Sequence, residues 1–365
     1  MNDKPIIFLD RHAAEVVSQH EPYRLACHLF HCGLIDRTET LDLGFEAQVI
    51  DPLCDVINGS TDSVSFSKIC DHRADAILEE AISTNRRVQV LWSGGIDSTV
   101  MIIALMQKAE FRNCKERLQI LCSIESISEY RTFFYKYIWQ RYEVIPVGYP
   151  ISNFISSDAL IVTGEHGDQL YGSDFLEPYV RNGLAFESWQ TALPFALAAN
   201  ELSGDEATVV QDYLEPLMKA APVPIISLFD FFWWLNFSLK WQSVALRIPA
   251  NTECPQQIFE VTRHFFRHQD FQRWSLHKHE RTVLNSWSEY KMPSKQYIYE
   301  FTGDKVYRTT KVKEQSLRLI FAGESTRRRK TQRRKDIDDP QEKSELTSCG
   351  LVLNSHFSPI FITSA

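Results

Sequence analysis

The sequence predicts an α/β fold: a parallel sheet flanked by helices, followed by a mostly helical C-terminal part. Short apolar segments alternate with helical patterns between residues 71 and 174, and this alternation is typical of parallel βαβ units. Beyond residue 174 the pattern becomes mostly helical. With 365 residues, of which 44% are hydrophobic, the chain can bury a sizeable core.

Individual elements follow from local patterns. The predicted strands are 87–92, 118–123, 142–147 and 159–163, and the predicted helices are 23–34, 71–84, 99–108 and 128–141. A loose alternation over 40–50 is compatible with a strand. The apolar run 225–239 contains Asp230 and Asn236 and is too short to span a membrane, so we expect a buried helix there.

Composition and charge restrict the class of protein. The net charge of −8 argues against nucleic-acid binding over the whole surface. Eight scattered cysteines without a Cys-x-x-Cys pair indicate reduced thiols. The N-terminus shows no apolar signal region, so we expect a cytoplasmic protein without a membrane segment. Cys27 with His31, or His28 with Cys32, could contribute to a metal site, but buried helix residues are the simpler interpretation.

The strongest functional signal is a loop between a predicted strand and a predicted helix. Its sequence is Ser93-Gly94-Gly95-Ile96-Asp97-Ser98-Thr99. Glycines let backbone N–H groups approach a phosphate closely, and the helix N-terminus adds donors and partial positive charge. The hydroxyls of Ser93, Ser98 and Thr99 are further donors. The loop lacks the spacing and the lysine of a Walker A motif, and the alternative interpretation is a capped strand-to-helix turn.

Two carboxylates follow separate predicted strands. Asp97 lies among the phosphate donors, where a carboxylate is costly unless a cation neutralises it. Asp168 follows the strand 159–163, so the two can hold one Mg²⁺ over a pyrophosphate leaving group. Glu165, at the same sheet edge, could accept a proton from an attacking amine. The alternative for Glu165 and Asp168 is a solvated acidic turn.

The loop resembles the pyrophosphate loop of the ATP pyrophosphatases. The segment Ile161-Val162-Thr163-Gly164-Glu165-His166-Gly167-Asp168-Gln169-Leu170-Tyr171-Gly172 resembles the second signature of the asparagine synthetase branch, Ser-Gly-Glu-Gly-x-Asp-Glu-Leu-Phe-Gly-Gly. The resemblance implies an adenine nucleotide alpha hydrolase-like fold and cleavage of ATP to AMP and pyrophosphate with Mg²⁺. It implies a synthetase domain over 71–322, preceded by a region of unknown role at 1–70. The tail 323–365 has a basic run followed by a polar, acid-rich stretch, so we expect it to be flexible.

The resemblance also implies roles for individual residues. Those bordering the nucleotide would be Leu91 at the adenine, Thr163 and Gly164, and Cys122 or Ser123 on the other side. The segment 307–316 resembles the family's Arg-x-Lys-Glu-Gln stretch, which supplies a lysine to the α-phosphate. Lys313 is the candidate and Lys311 the alternative.

Departures from the family pattern bear on the substrate. The segment 229–249 resembles the helical segment of asparagine synthetases, and Arg247 fits it. Trp241 and Ala245, however, stand where the family has acidic residues, and with Gln169 they argue against aspartate as the substrate. Residue 2 is Asn2 rather than the cysteine of a glutaminase domain, so we expect no glutamine hydrolysis.

The expected function is therefore an AMP-forming carbon–nitrogen ligase. It would adenylate a small-molecule or peptide carboxylate and pass the acyl group to an amine or to ammonia, which a separate amidotransferase or carrier could supply. One alternative is a nucleic-acid-modifying enzyme of the same superfamily, since seven of the nine residues 327–335 are basic. Another is an ATP-binding module without catalytic activity.

Overall fold

The computed structural model describes residues 4–57, 64–148, 150–172, 174–200, 202, 204–277, 286–312, 350–353 and 360–361. The strands are β1 (Ile6–Leu9), β2 (Val88–Leu91), β3 (Leu118–Cys122), β4 (Glu143–Pro146), β5 (Leu160–Thr163), β6 (Thr262–His264), β7 (Gly350–Leu353) and β8 (Ile360–Phe361). The first helices are α1 (Arg11–Val17), α2 (Glu21–Phe30), α3 (Leu53–Ile57), α4 (Phe66–Ser83), α5 (Ile96–Phe111), α6 (Ile124–Glu129), α7 (Arg131–Phe133), α8 (Gly167–Tyr171) and α9 (Glu177–Arg181). The later helices are α10 (Trp189–Ala198), α11 (Gly204–Lys219), α12 (Leu228–Leu239), α13 (Trp241–Leu246), α14 (Pro255–Val261), α15 (Gln269–His277), α16 (Met292–Thr302) and α17 (Lys305–Thr310).

The central sheet has five parallel strands in the order β4-β3-β2-β5-β6. The three inner strands are short and mainly apolar, and every residue of β2 and β5 is buried. Continuous apolar runs suit parallel strands because helices or loops cover both faces of such sheets. The α/β prediction, with a parallel sheet and a mostly helical C-terminal part, is therefore confirmed.

Most predicted elements are found close to their predicted bounds, with three differences. Residues 40–50 form no strand. The helix predicted over 128–141 is broken into α6, α7 and a π-helical turn at Phe134–Ile138, because the backbone leaves the helical region at Tyr130 (φ −140°, ψ 68°). The edge strand β6 was not predicted, since three residues are too few to show a pattern.

One face of the sheet carries the larger part of the core. Helices α4 and α5 pack together, and α16 packs against α5. On the opposite face Leu91, Leu121 and Ile161 form a smaller apolar cluster with residues of α14. The predicted buried helix is α12, whose residues are all buried except Asp230. Among the described residues, no helix is long and apolar enough to cross a membrane.

The N-terminal segments pack against α12 and α13. The guanidinium of Arg37 is buried, donates to the carbonyl of Phe237 at 3.1 Å and lies 4.3 Å from the Trp241 ring. Burial lowers the pKa of Arg37 to about 9. The backbone N–H of Ile35 donates to the carbonyl of Leu239 at 3.1 Å. A second, antiparallel sheet has the order β1-β7-β8.

The described cysteine and histidine side chains of the N-terminal region are not arranged as in a metal site. The seven cysteines within the described ranges are all free. Helix α2 ends at Phe30, and His31 follows in the left-handed conformation (φ 53°), so Cys27 and His31 do not share a helix face. His28 Nδ1 lies 2.6 Å from the Arg11 guanidinium. Across the described residues, no group of three or more His, Cys, Asp or Glu side chains is placed to hold a metal ion.

Candidate functional site

The loop between β2 and α5 is held in shape by its own hydroxyl groups. The oxygens of Ser93 and Ser98 lie 2.9 Å apart, and the Ser98 oxygen accepts from the Ser93 N–H at 3.2 Å. Gly95 precedes the first residue of α5 and has no side-chain cap, so the helix N-terminus presents its backbone donors at this loop. Thr99 is fully buried, and its oxygen accepts from the Trp92 indole N–H at 3.2 Å.

A second helix N-terminus lies beside this loop. Ser123 follows β3 and caps α6 through reciprocal bonds with Ser126. Gly94 has a positive φ of 79°, and a Cβ there would lie 2.9 Å from the Glu129 Cβ and strike the Ser126 carbonyl. The glycine thus allows the loop to contact α6 directly. Two strand ends, β2 and β3, therefore present their helix starts at the same sheet edge.

The second motif packs tightly on the first. A Cβ on Gly164, directly after β5, would lie 2.7 Å from the Ser98 backbone nitrogen. A Cβ on Gly167 would lie 2.5 Å from the Asp97 carboxylate oxygen Oδ1. Both distances are shorter than real Cβ contacts. Glycine at these two positions is what lets the Asp168 segment reach the loop between β2 and α5.

Asp97 and Asp168 converge on one ammonium group. Lys291 Nζ lies 2.6 Å from Asp168 Oδ1 and is also hydrogen-bonded to Asp97 Oδ2. The lysine side chain is 0% exposed, whereas the carboxylates are 20% and 29% exposed. Burial lowers the pKa of Lys291, but the two carboxylates outweigh burial, and its pKa is raised above the ordinary value. The lysine is therefore a buried cation that joins the two predicted motifs.

Two further lysines are buried nearby. Lys311 Nζ lies 3.1 Å from Glu129 Oε1, on the helix that contacts the glycine loop. Lys295 is fully buried and donates to the carbonyl of Ser288 at 2.7 Å. Burial, together with the charges of Lys291 and Lys311, lowers the pKa of Lys295 to about 8. The three ammonium groups lie within electrostatic range of one another. Lys291 and Lys311 are paired with carboxylates, whereas Lys295 donates to a neutral carbonyl.

The predicted α-phosphate lysine, Lys313, lies outside the described residues, as does the basic run 327–335. The alternative, Lys311, is the residue that the structure places beside the glycine loop. It directly follows α17, whose end it caps. Its approach to the loop depends on α16 packing against α5 and on α17 packing against α16.

Glu165, the predicted proton acceptor, is buried and ion-paired with Arg247. Burial raises the pKa of Glu165, and Arg247 partly opposes that effect. Its Oε1 oxygen has no hydrogen-bond partner within the described part of the chain. The Arg247 side chain is 34% exposed, so this ion pair connects the buried acid to the protein surface.

Thr163, predicted to border the nucleotide, is held by a buried histidine. The His264 Nε2 group lies 2.9 Å from the Ala245 carbonyl, and its Nδ1 lies 2.7 Å from Thr163 Oγ1. Burial lowers the pKa of His264 to about 3. A neutral ring that donates from Nε2 must accept at Nδ1, so the Thr163 hydroxyl donates to it. Thr163 Oγ1 in turn accepts from the Glu165 N–H at 3.2 Å.

The residues predicted near adenine lie at the carboxyl ends of β2 and β3, on opposite faces of the sheet. Leu91 belongs to the smaller apolar cluster and is 9% exposed. Cys122 is buried on the larger core, and burial raises its pKa to about 11. Ser123, which caps α6, is 9% exposed. Leu91 and Ser123 are thus the two that lie at the rim of the sheet edge.

The donor set fits Mg²⁺ at Asp97 and Asp168. Carboxylate oxygens are the ligands that this ion prefers, and both carboxylates reach a single cationic atom. In this structure the cation between the carboxylates is the Lys291 ammonium.

Comparison with known proteins does not assign the chain to a family. No protein-family model matches it, and the search of curated proteins found no significant match. The functional interpretation therefore depends on the geometry of the site and on the motif resemblance.

Sequence reasoning missed Lys291, Lys295 and Glu129 as site residues. The segment from Lys291 to Pro293 carries a helix-start signal, proline at the second helical position. A helix start, however, does not indicate that the lysine before it is buried. Lys291 also adopts a positive φ of 60°, which is uncommon for lysine and is not visible in a sequence pattern.

Proposed function

We propose that this protein binds ATP at the carboxyl edge of the central sheet and acts as an AMP-forming ligase. It would join a carboxylate to an amine or to ammonia. The observation that carries the proposal is the meeting, at one sheet edge, of the Gly94-Gly95 loop, the carboxylates of Asp97 and Asp168, and the buried lysines Lys291 and Lys311. Ligands of open α/β sheets bind at this edge.

The backbone donors of the loop and the lysines beside it support a phosphate-bearing anion, provided that Mg²⁺ offsets the charge of Asp97 and Asp168. The loop itself has no lysine, but the segment 291–311 brings three buried ammonium groups near it. The N-terminus of α5 adds backbone donors and partial positive charge. Mg²⁺, when bound at Asp97 and Asp168, would neutralise part of the charge of the leaving pyrophosphate.

The first step is acyl adenylation. A carboxylate oxygen of the substrate attacks the α-phosphorus, the bond from that phosphorus to the bridging oxygen of the β-phosphate breaks, and pyrophosphate leaves. Negative charge builds on the α- and β-phosphate oxygens during this step. Lys311, held by Glu129 at 3.1 Å beside the loop, would stabilise that charge as it develops.

The second step is capture by an amine. The nitrogen attacks the acyl carbonyl carbon, the bond from that carbon to the AMP oxygen breaks, and the nitrogen loses a proton. Glu165 is the candidate acceptor, because burial raises its pKa and one of its oxygens has no hydrogen-bond partner among the described residues. Arg247 would position the Glu165 carboxylate through their ion pair.

The test is the fate of ATP labelled at the α-phosphate, with pyrophosphate exchange measured across a panel of carboxylic acids. The proposal expects labelled AMP and acid-dependent exchange. Asp168→Asn should abolish both. Asp158→Asn is the matched control, because Asp158 is an exposed carboxylate at the opposite end of β5. Formation of ADP and phosphate instead would refute the proposal.

A second candidate is an ATP-binding module without turnover. The observation that favours it is the engagement of Glu165 by Arg247, which leaves the buried acid less available as a base. Retained ATP binding, without AMP or ADP formation across the acid panel, would support this candidate over the ligase.

A further inference from the structure

Lys291 occupies the point at which the two carboxylates of the site meet. Its ammonium is 0% exposed, lies 2.6 Å from Asp168 Oδ1 and is hydrogen-bonded to Asp97 Oδ2. Its backbone is left-handed, with φ 60°. For a lysine this conformation is uncommon and persists only where the surrounding structure imposes it. The surrounding structure therefore fixes the backbone of Lys291, and the two carboxylates hold its ammonium.

A divalent cation bound by the same two oxygens cannot share the position. Mg²⁺ approaches carboxylate oxygens to about 2.0–2.1 Å, so it would lie in direct contact with the ammonium. The two positive charges would repel each other at that separation. The metal and the lysine are therefore alternatives at Asp97 Oδ2 and Asp168 Oδ1.

The lysine is the partner with the freedom to move. A Cβ on Gly167 would already touch the Asp97 carboxylate, so Asp97 is enclosed by the backbone of α8. Lys291, in contrast, carries its charge on a flexible four-carbon stem. To leave the carboxylates, its ammonium needs another anion within reach. The loop of Gly94 and Gly95 is the element at this edge suited to hold one.

We propose that Lys291 is a resident counter-ion that excludes divalent metal from Asp97 and Asp168 until a polyphosphate draws its ammonium away. Metal would then bind together with the polyphosphate and not before it. This inference depends on the proposed function for the nature of the anion. The exclusion of metal by Lys291 does not depend on the proposed function, because it is a property of the protein without a ligand.

The test uses manganese as the metal, without nucleotide. Free Mn²⁺ is measured by electron paramagnetic resonance during titration of the wild type, Lys291→Met and Lys291→Gln. The expected result is Mn²⁺ binding at least about tenfold tighter in both variants, because the carboxylates lose their competing cation. Lys305→Met is the control: it removes an exposed lysine at the start of α17, and it should not gain affinity.

Folding is controlled by thermal unfolding with and without Mn²⁺. If removal of Lys291 destabilises the chain, Mn²⁺ should raise the unfolding temperature of Lys291→Met and Lys291→Gln but not that of the wild type. Adding Asp97→Asn to Lys291→Met should abolish the gained binding. Equal Mn²⁺ affinity in the wild type and both Lys291 variants would overturn the inference. Failure of ATP turnover with a gain of Mn²⁺ binding would instead refute only the proposed function.

Discussion

The packing of Gly167 on Asp97 gives a sharp test of the site geometry. Gly167 is the first residue of α8, and an alanine Cβ there would lie 2.5 Å from the Asp97 oxygen Oδ1. Ordinary contact begins at 3.4 Å, so the carboxylate would have to move by about 1 Å. We therefore expect Gly167→Ala to displace Asp97 from its position beside Asp168 and Lys291.

The magnitude of the effect has two parts. Overpacking of this kind costs about 1–3 kcal/mol, and alanine in a helix recovers about 0.5–1 kcal/mol relative to glycine. The free energy of unfolding should thus fall by about 1–2 kcal/mol. A displacement of about 1 Å at a reacting centre can lower the rate about 100-fold. The larger effect should therefore be on pyrophosphate exchange.

Urea denaturation measures the first effect and acid-dependent pyrophosphate exchange the second. Gly204→Ala is the matched control, since Gly204 is the first residue of α11 and a Cβ placed there meets no atom of the described residues within 4 Å. It should leave exchange unchanged and shift stability by at most about 1 kcal/mol. If Gly167→Ala behaved like this control in both measurements, the contact between α8 and Asp97 would be refuted.

Three further predictions concern the buried charges. Lys311→Met leaves Glu129, which is 4% exposed, without its lysine, and should lower the free energy of unfolding measured in urea by about 3 kcal/mol. Adding Glu129→Gln should restore most of the lost stability. A double variant as unstable as Lys311→Met would argue against the ion pair. Because the pKa of Lys295 is lowered to about 8, the lysine loses its charge as pH rises through that value. Calorimetric affinity for a non-hydrolysable ATP analogue should then fall on the order of tenfold from neutral to alkaline pH, whereas Lys295→Arg should flatten the profile. Arg247→Met should cost about 2 kcal/mol of stability at neutral pH, discounted because the arginine is 34% exposed. That cost should shrink as pH falls, because burial raises the pKa of Glu165 and the protonated acid needs no counter-charge; a cost independent of pH would contradict this reason.

The central sheet could be predicted because its inner strands carry a local signal. Val88–Leu91 and Leu160–Thr163 are buried on both faces and are mainly apolar, with Gln89 and Thr163 as the polar residues. The proximity of Asp97 and Asp168 followed from a general rule, since carboxyl ends of parallel strands share one edge. The local sequence pattern and the geometry of parallel sheets were thus sufficient to predict the strands and the proximity of Asp97 and Asp168.

The cations of the site could not be predicted in the same way. Lys291 lies 194 positions after Asp97, and no local pattern distinguishes its buried ammonium from that of an exposed lysine. The pairing of Lys311 with Glu129 depends on how α17 and α6 meet, which is tertiary packing. The break at Tyr130 was missed for a related reason: the ring stacks on Tyr307 at 4.1 Å, and that distant contact accompanies the local departure from helix.

The position of Lys291 late in the chain has a consequence for biosynthesis. A polypeptide made from its amino end contains Asp97 and Asp168 well before the lysine that joins them. In such an unfinished chain the two acids face each other at neighbouring strand ends, where their like charges repel. Once Lys291 has been synthesised, its ammonium offsets that repulsion and joins the start of α16 to the ends of β2 and β5. Ribosome-bound fragments ending before residue 291 should accordingly lack the contact that joins Asp97 to Asp168.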